Sequence, residues 1–317
     1  MLLLAIQFGM QPIFTKEFVA GDAHKPTLVL LCELLKIVFA VVMLFASLGR
    51  EECGKMVRSW SPAVSAKIAA VPAAIYALQN ICIQIGYQRL SGAEFNVLNQ
   101  IKIAAACFMV YIFMGRLVSG VQMIALMMVT CSSILLSMPE GSGELGMESQ
   151  DSAEGRRMGV AATLLASLLS GTAAALSQRA MQGKMNRNAY LFSAELSLWS
   201  CVTLLIGSVA DTLRAGGEVT SAFHIRETLS NTSVAIPLLT NAVGGLIVGQ
   251  VVKYAGSIRK AFAIVAGIIL TAVVENVLYA KALTGRLWIA LPMVVVALYM
   301  YTMYPRPRPL KQESKKQ

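Results

Sequence analysis

The chain reads as a succession of long apolar runs broken by short stretches of charge, glycine and proline. The runs fall near residues 1–19, 27–48, 68–88, 92–114, 118–138, 157–178, 190–210, 233–253, 258–280 and 286–304. Each is close to the ~20 apolar residues that an α-helix needs to cross a bilayer core. Almost none carries a polar face, and ten such helices cannot all be interior in a chain of 317 residues. The pattern therefore predicts an all-α multipass membrane protein with ten transmembrane helices and no separate soluble domain. The first run starts at Met1 without a basic leader and carries Lys16 and Glu17 near its end, so it reads as a retained span rather than a cleaved signal peptide.

Basic residues set the orientation. With the N-terminus in the cytosol, sixteen Lys and Arg fall in cytosolic loops and tail, nine fall outside, and Lys36 and Lys102 stay within spans. That balance agrees with the positive-inside rule. Both termini are then cytosolic, and residues 305–317 form a basic tail. Glu140, Glu144, Glu148, Asp151 and Glu154 gather in a Gly/Ser-rich lumenal linker, 139–156, which separates a five-helix half at 1–138 from a second at 157–304. Five crossings per half force opposite orientations, the inverted-repeat plan of secondary transporters. Two local similarities fit that plan: Leu90-Ser91-Gly92-Ala93 with Tyr254-Ala255-Gly256-Ser257, and Glu33 of the second span with Glu195 of the seventh. Asn231-Thr232-Ser233 is a glycosylation sequon on the expected lumenal side.

Composition narrows the chemistry. With 56% apolar and 14% charged residues the chain is unlike a soluble domain, which carries ~25% charged residues. The net charge of +10 follows from loop positioning, so no nucleic-acid partner is expected. The six cysteines, at 32, 53, 82, 107, 131 and 201, have no paired spacing and imply neither disulfide framework nor metal site. His24 and His224 have no ligand-spaced partners, and there is no P-loop and no G-x-S-x-G elbow. No acid–base or metal constellation can be assembled, so an enzyme is not expected and no cofactor is implied.

Lys102 stands out, because a lysine at the centre of a span costs roughly 2.5–3.5 kcal/mol on insertion scales. Two readings are open: an aqueous cavity where it meets an anionic substrate, or an ion pair with Glu33 or Glu195. Asn96, Asn99 and Gln100 on the preceding turn offer amides suited to base or ribose hydrogen bonds, or to binding a neighbouring helix. Gln79 and Asn80 are adjacent and cannot share a face, so one is expected in the cavity and the other against a helix. Gly244, Gly245 and Gly249 allow close helix approach. Lys253 to Lys260 ends the eighth span and opens the ninth, where backbone N–H groups and the helix dipole would face an anion from the cytosol. Tyr254, Ser257, Arg259 and the two lysines belong to that junction, for which cytosolic anchoring is the alternative. Glu33 and Lys36, three apart, are expected to pair on one face.

Tyr76-Ala77-Leu78-Gln79-Asn80 followed by Leu90-Ser91-Gly92-Ala93-Glu94-Phe95-Asn96-Val97-Leu98-Asn99-Gln100-Ile101-Lys102-Ile103 resembles the third and fourth helices of nucleotide-sugar transporters for CMP-sialic acid, UDP-galactose and UDP-N-acetylglucosamine. Gly244-Gly245-Leu246-Ile247-Val248, through Lys253-Tyr254-Ala255 to Ile258, Lys260, Phe262 and Ala263, resembles their other signature. The resemblance implies the drug/metabolite transporter fold, a Golgi membrane with the endoplasmic reticulum as alternative, and exchange of a cytosolic nucleotide sugar for a lumenal nucleoside monophosphate. It further implies that Gln79 and Asn80 contact the nucleotide and Lys102 its phosphate, with Lys253 and Lys260 as a second basic pair. Phe95 and Asn99 replace two tyrosines common in animal members, and Leu176-Ser177-Gln178-Arg179 departs from the usual end of the sixth helix. Together with Tyr190-Leu191-Phe192 and Glu195, these are similar to a plant and algal branch linked to UDP-N-acetylhexosamines. The expected binding set is Gln79, Asn80, Asn96, Asn99, Gln100, Lys102, Gly245, Lys253, Tyr254, Ser257 and Lys260. Besides substrate and lipid bilayer, a second copy of the chain or a glycosyltransferase are the candidate partners. A generic exporter of the same superfamily, coupled to protons through Glu195 or Glu33, and a membrane adaptor for a glycosyltransferase are the rival functions.

Overall fold

A computed structural model describes residues 1–18, 25–90, 92–137, 153–214, 225, 232–279 and 285–305. The linker between 138 and 152, the sequon at Asn231, both histidines and the tail beyond 305 lie outside the described residues, as does the side chain of Asn96. The helices are α1 (Leu2–Phe18), α2 (Lys25–Arg58), α3 (Pro62–Ser65), α4 (Val71–Arg89), α5 (Gly92–Asn99) and α6 (Ile101–Met114). They continue with α7 (Gly120–Ser137), α8 (Ala153–Gln182), α9 (Ala189–Arg214), α10 (Ala235–Ala255), α11 (Ser257–Tyr279) and α12 (Gly285–Met303). Among the described residues there is no strand.

Among the described residues, seven helices are long and apolar enough to cross a membrane: Pro26–Arg58, Pro62–Gly86, Glu154–Gln182, Ala189–Ala210, Ala235–Ala255, Ser257–Leu278 and Gly285–Met303. Leu2–Thr15, Ile101–Met114 and Gly120–Leu136 are apolar but shorter. The expected fourth span is not one helix, since it breaks at Gln100 between α5 and α6. The expected third span is preceded by α3 and a single π-turn, Ala66–Ala70, just before the buried Pro72, which cannot donate into the helix ladder. The second run ends near residue 48, and α2 breaks with it: Gly49, at φ 76° and ψ 169°, is non-helical, and a second, charged helix runs from there to Arg58.

The surface is apolar, as expected for a lipid-facing bundle. Val38, Val42, Phe45, Ile81, Phe108, Ile112, Trp288 and Val295 are all exposed. Inside, Ile103, Leu126, Val129, Phe262, Val265, Val294 and Tyr301 join α6, α7, α11 and α12 in one core. A second core gathers Ala69, Ala180, Met181, Phe192 and Val252.

The packing partners are distant in sequence. α4 and α6 both lie along α8, α1 lies along α11 and α10, α2 along α9 and α10, and α7 along α12. The closest approaches use glycine. Gly9 faces Gly267, and a Cβ on Gly171 would lie 2.6 Å from the carbonyl carbon of Ala105. α6 and α7, though consecutive, touch each other little.

Candidate functional site

Three adjoining cavities are found among the described residues. The widest, about 860 Å³, is a vestibule among the ends of α6, α8, α10 and α12 and the start of α7. Arg116, Lys253 and Arg259 line it, with Gln178, Gln182 and Asn186. The second, about 410 Å³, sits among α1, α2, α4, α8, α9, α10 and α11. Gln7, Gln11, Glu33, Lys36, Asn80 and Lys260 are among its polar walls. The third, about 130 Å³, is framed by Gln100, Lys102, Ser133, Ser170, Ser257 and Lys260. Met181 lines both of the larger cavities and Lys260 both of the smaller, so the three adjoin.

Lys102 enters this arrangement because α6 begins at Ile101, immediately after the break at Gln100. Lys260 enters from the first turn of α11. Both side chains line the same small cavity. Neither has an ion-pair partner among the described residues. The structure removes both carboxylates offered as a structural partner for Lys102. Glu33 pairs with Lys36 at 2.7 Å. Glu195, only 2% exposed, is held by Arg187 in an ion pair and accepts a hydrogen bond from Trp60 Nε1 at 2.8 Å.

The α10–α11 junction is built differently from the anion-facing helix end expected from sequence. Gly256, at φ 90°, turns the chain sharply and is a conformation that only glycine adopts without strain. The Ser257 N–H and hydroxyl both donate to Gln178 Oε1, at 2.9 and 2.6 Å. Gln178 Nε2 donates to Gln182 Oε1, and Gln182 Nε2 in turn donates to the carbonyls of Val252 and Lys253, each at 2.7 Å. The N–H that was to face a ligand is therefore capped from α8. Lys253 is likewise committed, donating to Asn186 Oδ1 and to the Arg187 carbonyl, each at 2.8 Å.

The expected binding residues thus divide. Asn80, Gly245 and Lys260 line the central cavity. Gln100, Lys102, Ser257 and Lys260 frame the small one. Lys253 and the 80% exposed Tyr254 line the vestibule, so Lys253 does not form one site with Lys260. Of the adjacent amides, Asn80 takes the cavity, whereas Gln79 does not line it and its Oε1 is buried with no hydrogen-bond partner among the described residues. Asn99, the last residue of α5, lines none of these three cavities.

Several wall residues had no local signature. Gln7 and Gln11 lie on α1, where Gln11 Nε2 donates to the Pro237 carbonyl at 3.1 Å. Lys36 pairs as expected, but its stem also packs on Gly245, where a Cβ would come within 2.7 Å of Lys36 Cε. The pair is therefore part of the cavity wall.

A family model described as "Nucleotide-sugar transporter" matches residues 5–302. A UDP-N-acetylglucosamine transporter of Arabidopsis thaliana is 32% identical over 96% of this chain and 91% of its own. A CMP-sialic acid transporter of Oryza sativa is 26% identical over 92% and 73%, respectively. A UDP-galactose translocator of Mus musculus is 28% identical over 87% and 70%. One solved crystal structure aligns over 96% of this chain and 95% of its own, with a TM-score of 0.64 at 13% identity, a likeness of fold. The family and these relatives are transporters, not enzymes.

Proposed function

Because this chain belongs to the nucleotide-sugar transporter family, we propose that it carries a pyrimidine nucleotide sugar across the Golgi membrane in exchange for a lumenal nucleoside monophosphate, by alternating access. UDP-N-acetylglucosamine is the first substrate to test, because the relative named for it aligns over 96% of this chain. UDP-galactose and CMP-sialic acid are the alternatives.

The observation that carries this reading is the pair of cations, Lys102 and Lys260, neither with an ion-pair partner among the described residues, around one small cavity that adjoins the central one. Two like charges in a low-dielectric interior repel, and an anionic phosphate removes that cost for both at once. Asn80 and Gln100, which line the central and the small cavity, supply amides for the base and ribose. Gly245 keeps the wall open, while Lys253, Tyr254 and Ser257 shape the cytosolic mouth. Nucleotide sugar and monophosphate present the same base and phosphate, so one site serves both. Proton coupling through Glu33 or Glu195 finds no support, since both carboxylates are held in ion pairs.

Ten spans in two inverted halves complete the proposal, and the packing supports it. Exchanging α1 with α8, α2 with α9, α4 with α10, α6 with α11 and α7 with α12 turns the α6–α8 pairing into α11–α1 and the α4–α8 pairing into α10–α1. The same exchange turns α4–α9 into α10–α2 and leaves α2–α9 and α7–α12 unchanged.

The test is uptake of radiolabelled UDP-N-acetylglucosamine, UDP-galactose, CMP-sialic acid and GDP-mannose into proteoliposomes preloaded with UMP, CMP or GMP. Uptake should require a matching pyrimidine monophosphate inside and should collapse in Lys102→Ala. Uptake that ignores the lumenal nucleotide, or that survives loss of the lysine, would overturn the reading.

A further inference from the structure

A fourth cavity, about 420 Å³, lies on the outer face of the bundle between α6 and α7. It exists because these two helices diverge, α6 leaning on α8 and α7 on α12. Ala104, Thr130 and Cys131 make a low floor, while Phe108 and Met127, 56% and 62% exposed, stand as rims. The Thr130 hydroxyl donates to the Leu126 carbonyl at 2.9 Å, so it makes no polar demand on an occupant. At one end stands Arg116, in the turn between the two helices.

Depth and charge together select the occupant. From Ala104 to the end of α6 at Met114 is about 15 Å of helix, which is half of the ~30 Å hydrocarbon core. The crevice therefore runs from the membrane surface to the bilayer midplane, the reach of one leaflet. A crevice bounded by apolar walls over that depth and by a guanidinium at the surface matches a single lipid. Arg116 donates to Gln182 Oε1 at 2.6 Å through one of its two terminal nitrogens. Its remaining N–H groups form the planar fork that suits phosphate.

We propose that the α6–α7 crevice binds one anionic phospholipid of the cytosolic leaflet, with an acyl chain along Ala104, Thr130 and Cys131 and the phosphate on Arg116. The site is separate from the transport path but borders it. Arg116 also lines the vestibule, and its partner Gln182 holds the last carbonyls of α10. Lipid on Arg116 therefore bears on the side of the vestibule that Gln182 organises.

The experiment uses the full chain in nanodiscs of phosphatidylcholine containing a minor fraction of phosphatidylinositol that carries a diazirine near the end of one acyl chain. After photolysis, peptide mapping locates the label, and native mass spectrometry counts retained lipids. Labels are expected on residues 104–131, with retention of the anionic lipid about fivefold above phosphatidylcholine, the ratio that one basic side chain at an anionic surface supplies. Arg116→Gln should bring that ratio close to one while the label stays in the crevice. Ala104→Trp, on an exposed position, should cut crevice labelling several-fold for either lipid, and Cys131→Phe serves if that variant misfolds. Labels elsewhere, a wild-type ratio near one, or labelling indifferent to the filled crevice would each sink the proposal. A dimer that Ala104→Trp disrupts, with no lipid label in the crevice, would assign the face to a second copy instead.

Discussion

Gly171→Ala is the smallest change that reaches the site from outside it. The new Cβ would sit 2.6 Å from the Ala105 carbonyl carbon, 2.7 Å from the Ala106 nitrogen and 2.9 Å from the Ala105 oxygen. All three are backbone atoms, so no side chain can swing aside. Ordinary contact lies near 3.5–4.0 Å, and α6 must therefore move from α8 by about 1 Å. Overpacking of this kind costs about 1–3 kcal/mol. At roughly 2 °C per kcal/mol for a chain of this size, the melting temperature should fall by about 2–6 °C. The displaced segment starts one turn beyond Lys102, and Ala106 and Ser170 both wall the small cavity, so nucleotide uptake should fall in parallel. Gly207→Ala is the control, because nothing lies within 4 Å of its Cβ direction. The assay is thermal unfolding in detergent together with exchange uptake in proteoliposomes. Equal melting temperatures and equal uptake for the Gly171 and Gly207 variants would refute the argument from close backbone approach.

Other outcomes follow from the same geometry. Lys260→Ala should weaken nucleotide sugar and monophosphate to a similar degree, and adding Lys102→Ala should cost less than the sum of the two single changes, because in the proposed site both cations serve one anion; competition binding measures this. Glu195→Gln leaves the Arg187 charge without its counter-ion beside Trp60, and breaking a buried pair in this way costs about 3–5 kcal/mol, read as a lower melting temperature. Gln178→Ala frees the Ser257 N–H and hydroxyl at the α10–α11 turn, a loss of about 1–3 kcal/mol that thermal unfolding should register.

The apolar runs were legible because a bilayer demands ~20 such residues whatever their identity. Their ends were less so. The second run does stop at Gly49, but the charged helix that follows it, through Arg50, Glu51 and Glu52 to Arg58, leaves no apolar signal although Arg and Glu are good helix formers. The break at Gln100 carries no proline or glycine to announce it. Lys102 could be singled out as the one basic residue in its apolar stretch, whereas Lys260 looked as much like an anchor as a ligand, and only the start of α11 at Ser257 carries it inward. Gln178 with Ser257, 79 residues apart, and Trp60 with Glu195, 135 apart, leave no mark in any local pattern. Such pairings are set by tertiary packing and become readable only in the fold.

One consequence of the packing concerns how the chain is made. α4 and α6 rest on α8, α1 and α2 on helices from α9 onward, and α7 on α12, so the part of the chain before residue 138 has little interior of its own. Synthesis proceeds at about 5–20 residues per second, which separates completion of α7 from that of α12 by on the order of ten seconds. The flanks of α4 and α6 face lipid or the insertion machinery until α8 arrives, and those of α1 and α7 until α11 and α12 do. Maturation is therefore governed by the arrival of the later helices, and a ribosome stalled within α8 should release a product that membrane quality control removes, however well its first helices have inserted.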